Sequence, residues 1–356
     1  MGGWYPIKLE PHLRAYAFGG RMFRERLGRE RLPEEDLAES WEVSDYRDTT
    51  GRVVNGAHAG RTLHELVEEF PDELVGEGWR GPHFPLLLKF LDASGMLPVH
   101  LHADDETARR KYGEPNGKTE AWHILWSEPG ASVLAGVREG FSREELADAL
   151  WREDYDAVML RHGVRPGDTV YVPGGVLHSF GPGMLVYEVQ QTSDLGQFAS
   201  PYDLYGNPLD EKTRRRNIEE VLDELRTDVR PRPNPGLAVR EGGNTRTFCC
   251  AGPHFALERW ELAEEWTEPA HPQRFVALTV VGEGAVRIEY EGGTELLGRA
   301  TSCILPAALG AARLVPEGRT VVLASYVPDL EQDVAGPLRE AGYEDEEIEV
   351  LGEVVF

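Results

Sequence analysis

The chain has 356 residues, of which 37 are Lys or Arg and 62 are Asp or Glu, so its formal net charge is −25. Such an acidic surface repels phosphate backbones and anionic lipid, and we therefore expect neither nucleic acid nor a membrane as a partner. With 41% hydrophobic and 28% charged residues the chain is of the globular class, and its length favours two domains.

Short apolar segments bounded by Gly or Pro predict strands in the first part of the chain, at residues 84–91, 121–126, 168–175 and 184–190. Apolar residues at helical spacing predict helices at 62–70 and 210–225. A third helix should begin at Ser142, because Glu145 completes a capping box with it.

A second series of strands is predicted at residues 255–263, 274–293, 302–309 and 319–327, with turn signals about every ten residues, and a last helix at 329–341. The stretch 227–245 has three prolines, three glycines and no apolar periodicity, which is typical of a linker. We therefore predict a mainly β protein of two sandwiches or barrels. Its units are a catalytic domain with helical additions at 1–230, a linker at 231–245, and a second domain with a terminal helical extension at 246–356.

The N-terminal residues lack the pattern of a secretory signal, and no apolar run approaches the roughly 18 residues of a membrane span. Three cysteines without C-x-x-C spacing fit a reducing compartment. We expect a cytoplasmic protein. The sequence leaves its oligomeric state open.

Two histidines one residue apart are the first sign of a metal site. In a strand His100 and His102 point to the same face, and Glu120 opens the next strand-like run. Residues 167–178 then have the spacing G-x5-P-x-G-x2-H, which matches the second conserved box of the cupin barrels and aims His178 into the barrel mouth. We predict His100, His102, Glu120 and His178 as ligands of one divalent metal. These ligand types suit Zn, but also Fe(II), Mn, Ni or Co.

Several segments together resemble the class I mannose-6-phosphate isomerases, which are zinc enzymes built from two cupin barrels. The matching segments are 39–45, 55–67, 84–93, 100–108, 117–122, 171–181 and 188–194. The resemblance implies two jelly-roll barrels, a single zinc ion, and interconversion of mannose 6-phosphate and fructose 6-phosphate through an enediol. It implies that the second barrel is metal-free, since Ala311 stands where His178 stands in the first.

The resemblance also assigns roles to side chains near the metal. Lys118 and Glu188 match the family's active-site residues and are the predicted proton-transfer groups, with the identity of the base left open. Lys89 matches a position from which it could bind phosphate. Trp122 and Trp126 share a face with Glu120 by strand alternation and could stack on a sugar ring, although core packing is the commoner role of such residues. His83, His162 and His254 show no ligand spacing.

The chain departs from the family at three places. His100 and Ala103 replace the family's glutamine and proline, and Pro98 replaces a phosphate-contacting serine. Residues 193–206 contain no cation where the family has an arginine. A basic triplet at 214–216 could compensate. The open alternatives are an isomerase of an unphosphorylated sugar, a non-catalytic sugar-binding protein, and an iron or manganese oxygenase.

Overall fold

The computed structural model describes residues 3–354 and is mainly β. The strands are β1 Leu9–Glu10, β2 His12–Arg14, β3 Glu39–Val43, β4 Asp45–Tyr46, β5 Thr49–Thr50, β6 Arg52–Val53, β7 Leu86–Ala93, β8 His100–Leu101, β9 Glu120–Ser127, β10 Ser132–Val137, β11 Met159–Gly163, β12 Thr169–Val172, β13 His178–Phe180, β14 Met184–Gln191, β15 Gln197–Phe198, β16 Leu237–Glu241, β17 Asn244–Ala251, β18 Ala256–Leu262, β19 Trp266–Glu268, β20 Val276–Val280, β21 Ala285–Tyr290, β22 Gly293–Leu297, β23 Ser302–Leu305, β24 Ala312–Glu317 and β25 Thr320–Tyr326.

The helices are short and connect or cover the sheets. They are α1 Met22–Glu25, α2 Leu63–Glu69, α3 Pro71–Leu74, α4 Asp105–Thr107, α5 Arg143–Trp151, α6 Tyr155–Val158, α7 Glu211–Glu224, α8 Gly336–Glu340 and α9 Asp345–Ile348. Segments Ala108–Tyr112 and Leu330–Ala335 are π-helical, and Ala307–Leu309 and Glu349–Leu351 are 3-10 turns. Within the described residues, no helix combines the length and apolar character needed to cross a bilayer.

Two antiparallel sheets form each barrel, as expected of a cupin-type fold. In the first barrel a six-stranded sheet of order β12-β9-β14-β7-β3-β2 faces a five-stranded sheet of order β11-β10-β13-β8-β15. In the second barrel the orders are β16-β17-β18-β25-β20-β23 and β19-β24-β21-β22. The fold prediction, two mainly β cupin barrels with a few helices, is confirmed.

Local sequence signals located most elements well. The predicted capping box at Ser142 is present, with Glu145 N–H donating to the Ser142 hydroxyl and Ser142 N–H donating to the Glu145 carboxylate. The stretch predicted as a linker differs, because β16 and the first residues of β17 lie within 231–245. Its residues 237–241 pair with β17 in a hairpin that turns at Gly242 and Gly243, a two-residue turn signal that the linker interpretation overlooked. The domain boundaries themselves stay a prediction.

The six-stranded sheet of the first barrel has two apolar faces. One face lines the barrel, where Leu91, Trp122 and Val186 pack together. The other face, with Leu88 and Tyr187, packs against the second barrel. The charged side chains of this sheet, such as Lys89 on β7 and Glu188 on β14, are therefore carried by strands that are buried on both faces.

Candidate metal centre and active site

Two strands of the first barrel bring the predicted histidines together. His100 and His178 are register partners in the neighbouring strands β8 and β13. His102 follows β8 by one residue, and its carbonyl accepts a hydrogen bond from Gly175 N–H at 2.7 Å. Gly175 has a φ of +83°, which a glycine adopts without strain and which turns the chain back toward β8. The turn within the G-x5-P-x-G-x2-H segment therefore brings His178 beside His100, in the direction that the spacing predicted.

Each histidine is oriented by the same type of hydrogen bond. The Nδ1 atoms of His100, His102 and His178 lie 2.7, 2.5 and 2.8 Å from the backbone carbonyls of Pro98, Leu195 and Val176. A carbonyl can only accept, so each Nδ1 carries the proton and each Nε2 presents a lone pair to the centre. This is the arrangement by which proteins orient metal-binding imidazoles.

Glu120 supplies the carboxylate from the start of β9. Its Oε1 lies 3.1 Å from His178 Nε2 and its Oε2 lies 3.3 Å from His102 Nε2. The Trp122 indole N–H donates to Oε1 at 3.1 Å, whereas Oε2 accepts no hydrogen bond of good geometry although it is buried. We call His100, His102, Glu120 and His178 the cage.

The geometry and charge of the cage fit a divalent metal. Ligands 2.0–2.2 Å from a tetrahedral ion lie about 3.3 Å from one another. The Nε2 atoms of His100 and His178 are 3.0 Å apart, so two lone pairs face each other and repel unless a positive charge lies between them. Burial and the neighbouring His178 and His102 rings hold the pKa of His100 well below its ordinary value. Neutral imidazoles are the forms that bind a metal.

Glu120 is ionised in this setting. Burial alone would raise the pKa of Glu120, but the neighbouring Lys118 and His102 hold it well below its ordinary value. Burial and the Lys118 charge likewise lower the pKa of His102 to about 3. The three histidines are therefore a buried group that could hold a divalent metal, with the Glu120 carboxylate beside them, and their geometry alone does not choose the ion.

Lys118 and Glu188 lie on different elements beside the cage. Lys118 Nζ is 2.9 Å from Glu120 Oε2 and 3.0 Å from His102 Nε2. Glu188 is on β14, paired in register with Trp122 of β9, and its Oε1 is buried without a hydrogen-bond partner. Burial and the Glu120 charge raise the pKa of Glu188 to about 7. Such a carboxyl group can both take and give a proton near neutral pH.

Lys89 has surroundings that differ from those expected of a phosphate ligand. Its side chain is 2% exposed, and its Nζ lies 3.3 Å from Glu188, 3.7 Å from Glu39 and 3.9 Å from Asp194. Burial would lower the pKa of Lys89, but these carboxylates raise it above its ordinary value. The contacts favour a role in holding Glu188 over the predicted phosphate binding.

The two tryptophans of β9 do not share a face. Trp122 is fully buried beside the His178 and Phe180 rings, so its indole orients Glu120 and is not open to a sugar in solution. Between Trp122 and Trp126 a β-bulge shifts the register of β9 against β14. Trp126 consequently packs on the side of the second barrel, under Arg26. The expectation that both tryptophans share a face with Glu120 is wrong for Trp126.

Sequence reasoning missed two polar residues near the cage. Gln190 is the register partner of Glu120 on β14, and its Oε1 is buried without a partner. Strand alternation from Glu188 could have identified Gln190. Arg14 on β2 stacks over Trp41 and lies near enough to Asp194 to influence its pKa. No local pattern marks Arg14, which approaches the site only through sheet pairing.

The second barrel has a different interior. Among residues 3–354, the groups of three or more His, Cys, Asp or Glu side chains with converging ligand atoms all lie between Asp45 and His178. The centre of the second barrel is instead filled by apolar side chains such as Trp260, Leu278 and Val322. Fold and site thus define a protein of two cupin barrels with a buried metal-ligand cage in the first.

Known proteins identify the family. The family model described as "Phosphomannose isomerase type I, catalytic domain" matches residues 7–124. The Bacillus subtilis (strain 168) protein named "Putative mannose-6-phosphate isomerase YvyI" is 31% identical over 312 residues, which are 85% of this chain and 93% of that protein. The mannose-6-phosphate isomerase of Streptococcus mutans serotype c is 30% identical over 80% of this chain and 88% of its own length. The crystal structure of the Bacillus subtilis mannose 6-phosphate isomerase superposes with a TM-score of 0.81 at 28% identity, covering 90% of this chain and 99% of that one. The chain belongs to the type I phosphomannose isomerase family, whose members are aldose–ketose isomerases.

Proposed function

We propose that this chain interconverts mannose 6-phosphate and fructose 6-phosphate. The observation that supports the proposal is the convergence of the cage with Lys118 and Glu188 at one end of the first barrel, in a chain whose relatives carry that activity in their names. Free, buried thiols at Cys249, Cys250 and Cys303 fit a cytoplasmic reaction.

The cage residues His100, His102, Glu120 and His178 would hold one divalent cation, which we propose to be zinc. When bound, the cation supplies a Lewis acid that polarises the sugar oxygens and stabilises negative charge. The three Nδ1 hydrogen bonds to carbonyls keep the imidazoles in the required orientation.

In this proposal Glu188 carries out the proton transfer. Its buried Oε1, which accepts no hydrogen bond and has Lys89 Nζ 3.3 Å away, takes the proton from C2 of the aldose and returns it to C1 of the enediol. Lys118 donates a hydrogen bond to O1, on which negative charge develops, and the hydroxyl proton of O2 moves to O1 as the C2 carbonyl forms, which completes the conversion. Lys89, 3.3 Å from Glu188, keeps that carboxylate in position.

A free sugar is the second candidate substrate. It is favoured by Pro98, which has no hydroxyl group, and by the absence of any Lys or Arg in the sequence 193–206. The phosphosugar is favoured by Arg14, whose buried Nε has no hydrogen-bond partner and whose guanidinium would suit a phosphate at the site mouth.

The test is turnover of purified, zinc-loaded protein with mannose 6-phosphate and, separately, with free mannose. We expect ketose formation from the phosphosugar with a higher kcat/KM, and incorporation of solvent deuterium at the ketose C1. Glu188→Gln should keep its zinc and lower kcat by a factor on the order of 10² to 10⁴, since the group that moves the proton is lost. Glu128→Gln, an exposed glutamate after β9, is the matched control.

Three outcomes would contradict the proposal in different ways. Full activity in Glu188→Gln would remove its catalytic role. Higher kcat/KM for mannose than for its phosphate would favour the free-sugar isomerase. Saturable sugar binding with no ketose in any metal form would make the protein a sugar-binding one.

A further inference from the structure

We propose a second divalent-metal site, separate from the cage, formed by Asp45, His64 and His83. Asp45 is the first residue of β4, His64 lies in the first turn of α2, and His83 precedes β7 by three residues. One ligand atom from each of the three side chains lies within 4.8 Å of the others. The three residues are spaced nineteen apart along the chain, so only the fold reveals the group.

Two of the three ligands are already in contact. His64 Nδ1 lies 3.0 Å from Asp45 Oδ1 and 3.3 Å from Oδ2, while His83 Nδ1 lies 4.0 Å from Oδ2. Ligand atoms around one tetrahedral ion are about 3.3 Å apart, so a movement of about 1 Å by His83 would complete the site. The side chains of His64 and His83 are 37% and 23% exposed, which leaves the rings room to turn and gives an ion a path from solvent.

An unsatisfied atom points to a ligand at this position. His83 Nδ1 is buried and has no hydrogen-bond partner among the described residues. A buried polar atom left without a partner is unfavourable, because it has lost its hydrogen bonds to water. The nearest ionisable partner of this nitrogen is the carboxylate that His64 already contacts, so a cation bound between them would satisfy all three groups.

The surroundings resemble the outer shell of a metal site. Phe84 N–H donates to Asp45 Oδ2 at 2.8 Å and fixes the carboxylate. If His64 binds through Nδ1, its Nε2–H faces Glu68 Oε1, which is 3.7 Å away. A carboxylate behind a metal-binding histidine is a recurrent arrangement that sets its tautomer.

The ligand types select the kind of ion. Two imidazoles and one carboxylate, with a fourth position open to water, suit Zn²⁺ and neighbouring first-row ions. Mg²⁺ and Ca²⁺ prefer all-oxygen sites and fit poorly. The ion would join β4, α2 and the segment leading into β7, the strand that carries Lys89. We infer a zinc site with an open position that links these segments of the first barrel when it is occupied and lies outside the proton-transfer groups.

Zinc stoichiometry tests the inference independently of catalysis. After dialysis against buffered zinc, elemental analysis of the wild-type protein should give about two zinc ions per chain. His83→Ala and His178→Ala should each give about one, and the double variant none. His162→Ala, which belongs to neither group, should match the wild type.

A thermal measurement separates loss of binding from loss of folding. Zinc added to metal-depleted His178→Ala should still raise its Tm, because binding to the native state stabilises it. That rise should vanish when His64→Ala and His83→Ala are added. A wild-type protein with one zinc that is lost in His178→Ala, or a His83→Ala variant that retains both ions, would overturn the second site and leave the isomerase proposal untouched.

Discussion

Arg14 of β2 is a cation that sequence reasoning did not connect with the site, and its charge acts on the pKa of Asp194. It is the register partner of Glu39, whose carboxylate lies 3.7 Å from Lys89. Burial raises the pKa of Asp194, while Lys89, Lys118 and Arg14 act in the opposite direction. All three cations therefore act on one carboxylate, that of Asp194, which lies 3.9 Å from Lys89. Only Arg14 among them has a buried nitrogen that lacks a partner.

Truncation of Arg14 should discriminate between the two candidate substrates. Hydrogen bonds to charged groups contribute about 1.5–3 kcal/mol, so Arg14→Ala should lower kcat/KM for mannose 6-phosphate roughly tenfold or more. Turnover of free mannose should change little. Steady-state kinetics with both sugars checks this, with Arg21→Ala as the matched control on an exposed arginine. Equal losses with both sugars would show that Arg14 has a structural role and does not bind phosphate.

At this scale the convergence of the three histidines was predictable from their spacing, whereas the contacts of Lys89 were not. His100, His102 and His178 carry a spacing that strand alternation and turn geometry translate directly into a shared centre. Lys89 carries no such signal, because its role depends on carboxylates from three separate segments. Which charges compensate one another in a buried site depends on contacts between segments that are distant in sequence.

A buried ion pair joins three strands of the second barrel. Glu258 of β18 accepts hydrogen bonds from Arg246 of β17 at 2.6 and 2.7 Å, from the Trp260 indole at 2.7 Å, and from the Tyr326 hydroxyl of β25. Burial alone would raise the pKa of Glu258, but Arg246 and these hydrogen bonds lower it below its ordinary value of 4.5.

Removal of the Glu258 charge should destabilise the protein in a pH-dependent way. Glu258→Gln leaves the Arg246 charge uncompensated, which should lower the free energy of unfolding by about 3 kcal/mol at pH 7. Because the folded-state pKa is depressed, this stabilisation is present above pH 4.5 and is lost as the pH falls through the folded value. Urea unfolding at pH 7 and at progressively lower pH checks whether the stabilisation decreases as the pH falls. Glu261→Gln, on the partly exposed face of β18, is the control and should have little effect. A loss of stability in Glu258→Gln that does not depend on pH would contradict the linkage.

The strands and helices divide into those with local signals and those without. The helix at 62–70 was predicted from its apolar spacing, and α2 begins at Leu63, where Thr62 and Glu65 form a capping box that the structure adds to this signal. Strand β8 has two residues, too few for a periodic pattern, and exists because β13 and β15 pair with it on either side. The bulge that redirects Trp126 likewise depends on the register of β14. The existence of β8 and the bulge in β9 therefore depend on pairing between strands that are distant in sequence.

The whole molecule is organised around a core that both barrels share. Phe84 of the first barrel and Phe275 of the second meet with ring centroids 4.4 Å apart, and the Tyr187 hydroxyl contacts Thr279 Oγ1 at 3.1 Å. The N-terminal segment crosses over as well, since Ile7 and Ile304 exchange two backbone hydrogen bonds of 2.8 Å. The two barrels bury apolar surface against each other and should unfold together.

Phe275→Ala tests this shared core. Replacing a buried phenylalanine by alanine leaves a cavity and typically costs about 3–5 kcal/mol, so the Tm should fall markedly. Because Phe275 packs on both barrels, calorimetry should show one endotherm that moves as a whole to lower temperature. Phe141→Ala removes a ring that is 39% exposed and should leave the endotherm nearly unchanged. Two endotherms of which one alone shifts would mean that each barrel has an independent core, and that the first could hold its metal cage without the second.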